Sequence, residues 1–210
     1  LTAPRPGVRE TDMDPTAEGV VEAAQEAVKE EPAAQPAVTR SAPERPQDFT
    51  LLGSGSLLRE ALRAQQLLAE GFGIAADVWS ATSYKMLRYE AIVCEQWKVF
   101  HPRETPKVPY VTQALGQAQG PVVAVTDYMR LVPDQIARWV PQGLTSLGTD
   151  GYGRSDTRTA LRRFFRVDAE CIAIAALDQL ARAGVVSRDA VAAAIEDLGV
   201  DPEAPLALLT

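Results

Sequence analysis

The chain has 210 residues, a formal net charge of −7 and 46% hydrophobic residues. That apolar content is enough for a globular core, whereas the acidic balance argues against nucleic-acid binding, which needs a basic surface. No apolar stretch reaches the roughly 20 residues of a membrane-spanning helix, and the N-terminus lacks the basic and apolar regions of a signal peptide. We therefore expect no nucleic-acid partner, no membrane partner and a cytoplasmic location.

The first 48 residues differ in composition from the rest. They hold seven of the 15 prolines and a charge of −5, which leaves only −2 for residues 49–210. Such a segment cannot bury enough apolar surface to offset its chain entropy. We predict a flexible, acidic Pro/Ala-rich linker at 1–48. One short helix, with Asp14 as its N-cap and Pro15 at its first position, is interpreted as a transient turn in preference to a docking helix.

From Phe49 onward, short apolar strands alternate with amphipathic helices, which is typical of a layered α/β domain. The predicted strands are 49–52, 75–81, 121–126 and 145–149. The predicted helices are 57–68, 84–100, 133–140, 157–165, 170–183 and 187–198. Gly184 stands at the expected C-cap of the fifth helix. Prolines at 102, 106 and 109 predict extended chain after the second helix.

A glycine-rich turn, Gly53-Ser54-Gly55, joins the first strand to the first helix. Glycines in this position let a phosphate approach the backbone in dinucleotide-binding folds. Leu58 replaces the third glycine of that fingerprint, and no Gly-Lys-Ser/Thr occurs in the chain. The turn is therefore interpreted as a connection, and we predict no cofactor-binding residue.

Catalytic and metal-binding residues are also not predicted. His101 is the single histidine, so no second imidazole is present to build a metal cluster or a relay, and it is interpreted as a cap or surface turn. Cys94 and Cys171 lie in apolar helical segments, which favours two reduced core thiols over a disulfide or a nucleophile. No serine stands in a nucleophile elbow.

The glycine-rich run 148–156, Gly-Thr-Asp-Gly-Tyr-Gly-Arg-Ser-Asp, is the strongest candidate for function. One interpretation is conformational. In it, Gly151 and Gly153 adopt positive φ, while Asp156 caps the next helix and Arg154 pairs with an acid. The other interpretation is the edge of a cleft, where the guanidinium and the carboxylates meet an anion or a partner chain. The residues do not decide between the two.

Several runs of sequence together resemble one family. They are the run 148–156, ADVWSATS at 76–83, VPYVTQAL at 108–115, DYMRL at 127–131 and RRFFRVD at 162–168. They resemble the C-terminal domain of the homodimeric type of pyruvate dehydrogenase first component, a thiamine-diphosphate-dependent enzyme of the transketolase superfamily. The resemblance implies that residues 49–210 form a transketolase C-terminal-domain-like three-layer α/β sandwich with a mostly parallel sheet.

The resemblance also implies what this chain lacks. The family holds magnesium and thiamine diphosphate with a Gly-Asp-Gly motif followed by an asparagine, and this chain contains no asparagine. It is therefore expected to be a non-catalytic assembly domain, inactive and without cofactor by itself, in an enzyme that decarboxylates pyruvate and acetylates lipoyl groups. The implied partners are the cofactor-binding domains, in the same or a separate chain, a homodimer partner and the lipoyl acyltransferase component.

Six residues are predicted to shape an interface, as loop contacts or packing anchors: Asp150, Tyr152, Arg154, Asp156, Trp79 and Tyr110. The alternative is a stand-alone interaction or regulatory module that kept the fold without catalysis. Binding of a small ligand at the strand C-termini is a third possibility, which rests on fold analogy alone. The sequence leaves open whether the chain is a fragment, a split subunit or an independent protein.

Overall fold

A four-stranded parallel sheet forms the centre of the computed structural model, which describes residues 49–118 and 120–209. The strands are β1 (Phe49–Gly53), β2 (Ala76–Ser80), β3 (Val122–Val125) and β4 (Leu144–Leu147). Their order in space is β2-β1-β3-β4, and all neighbours are parallel, with Leu51 of β1 opposite Val78 of β2 and Val123 of β3. All four predicted strands are confirmed within two residues at each end. The predicted linker and its Asp14-capped helix lie outside the described residues.

Seven α-helices are described: α1 (Leu58–Phe72), α2 (Tyr84–Phe100), α3 (Tyr110–Leu115), α4 (Leu131–Asp134), α5 (Arg158–Phe164), α6 (Ala169–Arg182) and α7 (Arg188–Asp197). Four of them begin at a side-chain cap that accepts a hydrogen bond from the N–H three residues later: Ser83, Thr157, Asp168 and Ser187. These caps satisfy N–H groups that have no partner within the helix. Gly184 has a φ of +76° just after α6, as predicted.

The sheet is covered on both faces, which gives the three layers that the sequence predicts. Alternate residues of β1 and β3 point to opposite sides, so both strands are buried along their full length. On one face Leu51 and Val123 pack with residues of α1 and α6, around the fully buried Leu57 and Ile172. The opposite face carries a second core, built from Leu52, Ala124, Tyr84, Val111 and Ile136.

One local prediction is wrong, and one helix was not predicted. The helix predicted for 133–140 is only α4 followed by a 3-10 turn at Ala137–Trp139, and Pro133 lies inside α4 instead of opening it. Val140 is extended because it precedes Pro141, and a residue before proline disfavours the helical conformation. Helix α3, which the sequence analysis did not predict, forms directly after Pro109 and buries Val111 and Leu115.

The environments of His101 and the cysteines agree with the sequence-based interpretation. His101 is the C-cap of α2: its N–H donates to the Trp97 carbonyl, and its ring stacks on Trp97 with the centroids 3.6 Å apart. Cys94 and Cys171 are buried free thiols. No helix of the described residues is long and apolar enough to cross a membrane.

Both thiols are expected to resist alkylation in the folded chain. Burial, then a hydrogen bond to Glu90 for Cys94 and to Asp168 for Cys171, raises the pKa of each thiol to about 12. Because the reactive form is the thiolate, iodoacetamide at pH 8 should modify neither cysteine in the native chain and both in urea. The pKa of each thiol is higher in the folded chain than in the unfolded chain. The contribution of the thiols to the free energy of unfolding is therefore fully present below the unfolded pKa, and it declines as the pH rises from there towards the folded pKa. Mass spectrometry of the alkylated chain measures the reactivity, and rapid native labelling would contradict the prediction.

Candidate functional site

A cleft opens beyond the carboxyl ends of the neighbouring strands β1 and β3, where the chain leaves the two strands towards opposite faces of the sheet. β1 leads into α1, which packs on one core, whereas β3 leads towards Ile136 and Trp139, which pack on the other. In open α/β sheets such a reversal leaves a crevice beyond the strand ends. The cleft has a volume of about 460 Å³. It is lined by Ser56, Asp127, Thr149, Gly151, Gly153, Arg154, Asp156, Arg158, Leu161, Arg162, Phe165 and Val167.

Asp127, the residue beyond Thr126 at the end of β3, fixes the turn that follows β1. Its Oδ2 accepts a hydrogen bond of 3.1 Å from the backbone N–H of Ser56. Gly55 has a φ of +57°, and a Cβ there would lie 3.1 Å from the same carboxylate oxygen. The turn thus needs glycine for its backbone conformation and approaches the carboxylate closely, a contact that joins residues 71 positions apart.

Asp150 holds the glycine-rich loop against the segment after β3. One carboxylate oxygen accepts from the Arg130 N–H at 3.0 Å, and the other lies 3.0 Å from the Arg130 Nε. Thr149 adds two hydrogen bonds, from its N–H to the Tyr128 carbonyl and from its hydroxyl to the Asp127 carbonyl. Asp150 therefore supports the conformation of the loop, as one of the two sequence-based interpretations holds.

The other loop residues depart in part from the conformational interpretation. Gly151 has a φ of +103°, but Gly153 has no positive φ. Asp156 does not cap α5: the Thr157 hydroxyl accepts from the Ala160 N–H, while Asp156 Oδ1 accepts from the Thr157 N–H. The extended Thr157 brings its own side chain over the first turn, which leaves the preceding residue outside the cap position.

Arg154 does not pair with an acid among the described residues. Its guanidinium lies 4.3 Å from the ring centroid of Phe164, in a cation–π contact. Tyr152 is 84% exposed. Arg154, Tyr152 and the cleft-lining Asp156 thus stand at a solvent-facing edge, which is what the second interpretation of the loop requires.

The wall of the cleft that α5 forms is held in place by a buried carboxylate, Glu60, which the sequence analysis did not identify. Glu60 of α1 lies 2.7 Å from Arg162 and 2.9 Å from Arg63, and it accepts from the buried N–H of Ala169. Arg162 also donates to the Ser56 hydroxyl at 3.2 Å. This cluster ties α1, α5, α6 and the turn after β1 together. Arg162 and Ala169 are 102 and 109 residues from Glu60 in the sequence, so spacing along the chain gave no signal of these two contacts.

The two predicted packing anchors lie away from the cleft lining and differ from each other. Trp79 is partly buried and packs against the core that contains Tyr84. The side chain of Tyr110 is 44% exposed, and its backbone N–H donates to Glu90 at 2.9 Å. Within this domain Trp79 packs in part against the core and Tyr110 remains exposed, and the interface role of both stays a prediction.

Large apolar side chains remain exposed on the segments that meet at the loop. Tyr128 and Met129 follow β3, Tyr152 lies in the loop, and Leu208 belongs to the C-terminal segment. The backbone of this segment touches the loop, because a Cβ on Gly151 would lie only 2.2 Å from the Ala207 carbonyl oxygen. Exposed apolar groups gathered in this way are typical of interaction surfaces.

The donor set does not fit a magnesium–diphosphate site. Such a site needs carboxylate, amide or carbonyl oxygens arranged around the metal. Residues 49–118 and 120–209 contain no group of three or more His, Cys, Asp or Glu side chains placed to hold a metal ion. Asp127 and Asp156 line the cleft and accept hydrogen bonds from backbone N–H groups. Glu60 lies outside the cleft lining and forms ion pairs with two arginines.

Comparison with known proteins gives consistent matches. A family model described as "Transketolase-like TK C-terminal domain" matches residues 37–168. The pyruvate dehydrogenase E1 component of Pseudomonas aeruginosa is 49% identical over 154 residues, 73% of this chain and 18% of that protein. The E1 component of Mycolicibacterium smegmatis is 48% identical over 163 residues, 77% of this chain and 18% of that protein.

The chain spans about 18% of the length of these relatives. Among solved structures, "Split gene transketolase, inactive beta4 tetramer" matches with a TM-score of 0.47 and 19% identity, over 65% of this chain and 40% of that chain.

Proposed function

The chain belongs to the transketolase-like C-terminal domain family. On that premise we propose that it is the C-terminal, non-catalytic assembly domain of a pyruvate dehydrogenase E1 component. The complete enzyme would decarboxylate pyruvate and acetylate lipoyl groups. Thiamine diphosphate and magnesium would be held by cofactor-binding domains outside this chain. A homodimer partner and the lipoyl acyltransferase component would complete the assembly.

The observation that carries this proposal is the exposed edge of the loop 148–156, which is anchored at one end and has exposed apolar groups beside it. Asp150 and Thr149 anchor the loop to the segment after β3. Tyr152 and Arg154 follow this anchor and are exposed to solvent, and an anchored segment loses less conformational entropy on binding than a free one. Aromatic and arginine side chains are enriched where protein interfaces are strongest. The partner we assign to this edge is the cofactor-binding part of the same enzyme.

Native mass spectrometry of the protein purified from its own source tests the proposal. We expect a complex in which this chain, or the longer protein that contains it, carries thiamine diphosphate through the cofactor-binding domains. A solitary 210-residue chain without cofactor would overturn the proposal and favour the stand-alone interaction module.

Replacing Arg154 by Ala should weaken that assembly while leaving the domain folded. Its contact with Phe164 is exposed and contributes only about 0.5–1 kcal/mol, so the thermal midpoint should hardly move. An arginine at the centre of an interface contributes more, about 2 kcal/mol or above, so the Kd for the cofactor-binding domains should rise at least tenfold. Titration calorimetry measures the Kd. Arg188→Ala, at an exposed arginine of α7, is the matched control, and equal affinities for the two variants would contradict this role.

A further inference from the structure

The cleft beside the loop has features that an assembly surface does not need. Its volume of about 460 Å³ lies within the range of small-molecule sites, about 300–1,000 Å³. Part of its lining is apolar, from Leu161, Phe165 and Val167, and part consists of charged groups from three separate segments. A concave site of mixed polarity suits a small molecule better than a flat protein surface.

The three arginines of the cleft do not have the same role. Arg162 is engaged by Glu60 and Ser56, and its side chain is only 18% exposed, so it belongs to the wall. Arg158 makes no hydrogen bond or ion pair within the described ranges, and Arg154 makes only its contact with Phe164. Two guanidinium groups that line one cleft without a bound carboxylate are suited to a phosphate, which accepts charge-assisted hydrogen bonds from both.

The two carboxylates of the cleft indicate which groups the rest of the ligand should carry. Asp127 and Asp156 are held by the backbone N–H groups of Ser56 and Thr157. Ionised carboxylates only accept hydrogen bonds, so they suit the hydroxyl groups of a ligand and disfavour a bare anion. The apolar lining adds a place for a planar or aliphatic portion.

We propose that this cleft binds a small hydroxylated phosphate ester of mononucleotide size, with its phosphate on Arg158 and Arg154, its hydroxyls on Asp127 and Asp156, and its apolar part against Leu161 and Phe165. This site is separate from the chemistry assigned to the other domains. Every group that it uses belongs to this chain, and it shares Arg154 and Asp156 with the loop edge proposed for assembly.

Binding is tested on the full 210-residue chain by NMR of backbone amides, with AMP, inorganic phosphate and adenosine as probes. AMP carries all three features, whereas each of the others lacks at least one. We expect AMP to shift the amides of 149–158 and to leave those of α7 unchanged, to bind more tightly than phosphate, and to bind at least tenfold more tightly than adenosine. Absence of these shifts, or equal affinity for AMP and phosphate, would overturn the proposal.

Arg158→Gln supplies the residue-level test. Removing a charge-assisted contact to phosphate should weaken AMP binding about tenfold or more, and it should leave adenosine binding unchanged. Arg103→Gln, at an exposed loop arginine outside the cleft, is the control. Arg158 has no partner in the described structure, so the variant should fold normally, and an AMP affinity equal to that of the control would refute the site.

Discussion

Glu60→Ala is expected to lower the free energy of unfolding of this chain by about 3–5 kcal/mol, the usual cost of breaking a buried ion pair from one side. The Glu60 side chain is only 6% exposed, and it contacts Arg162, Arg63 and the buried N–H of Ala169. Its loss leaves the mostly buried Arg162 without its carboxylate partner and Ala169 without its acceptor. Urea unfolding followed by circular dichroism measures the change.

Two further variants separate charge from packing. Glu60→Gln retains an acceptor for the Ala169 N–H and loses only the charge, so its destabilisation should fall between those of Glu60→Ala and the wild type. Glu70→Ala, at an exposed position on the same helix, should change stability by less than about 0.5 kcal/mol. If Glu60→Ala were no more destabilised than Glu70→Ala, the cluster would not hold α5 against α1.

Gly148→Ala is expected to destabilise the loop by about 1–3 kcal/mol and to reduce assembly with the cofactor-binding domains. A Cβ at this position would lie 2.5 Å from the Tyr128 carbonyl oxygen and 2.8 Å from the Arg130 nitrogen. Both are backbone atoms, so the loop or the segment after β3 must move. Asp150 anchors these two segments to each other, so the movement should also displace Tyr152 and Arg154.

Gly153→Ala is the matched control because it adds the same methyl group five residues further along. A Cβ on Gly153 meets no atom within 4 Å, and its φ is not positive. Its stability should therefore be unchanged or raised by about 0.4–1 kcal/mol through a less flexible unfolded chain. Thermal unfolding and the Kd for the cofactor-binding domains are measured for both variants. Equal values would show that the loop conformation is not required.

Much of the fold was predictable because it follows from local patterns. The strands 49–52 and 121–126 are short apolar runs between turn residues, and such runs are buried on both faces in a parallel sheet. The end of α6 at Gly184 follows from the need for a left-handed residue after a helix. The helix predicted for 133–140 was wrong: α4 ends at Asp134, and Pro141, just beyond the predicted helix, disfavours the helical conformation at Val140.

The candidate site was predictable only in part. The loop 148–156 was identified from its glycines and charges, and the structure places it at the edge of a cleft. Glu60 and Arg158 were not identified because neither belongs to a recognised motif, and Asp127 was noted only as part of the run DYMRL at 127–131, with no role assigned. The contacts of Glu60 with Arg162 and Ala169, and of Asp127 with Ser56, span 71 to 109 residues of sequence. Such pairs become visible only when the strands have been ordered in space.

By itself, the sequence determined the α/β class, the family and the candidate loop, because periodicity and motif are local properties of the chain. The tertiary structure decided what the loop residues do: Asp150 is a structural clamp, Asp156 is not a cap, and Arg154 lacks an acidic partner. It also decided that Arg158 and Arg162 of α5 line one cleft with Ser56 and Asp127. The physical reason is the strand order β2-β1-β3-β4, which brings the ends of β1 and β3 side by side although the sequence separates them by about 70 residues.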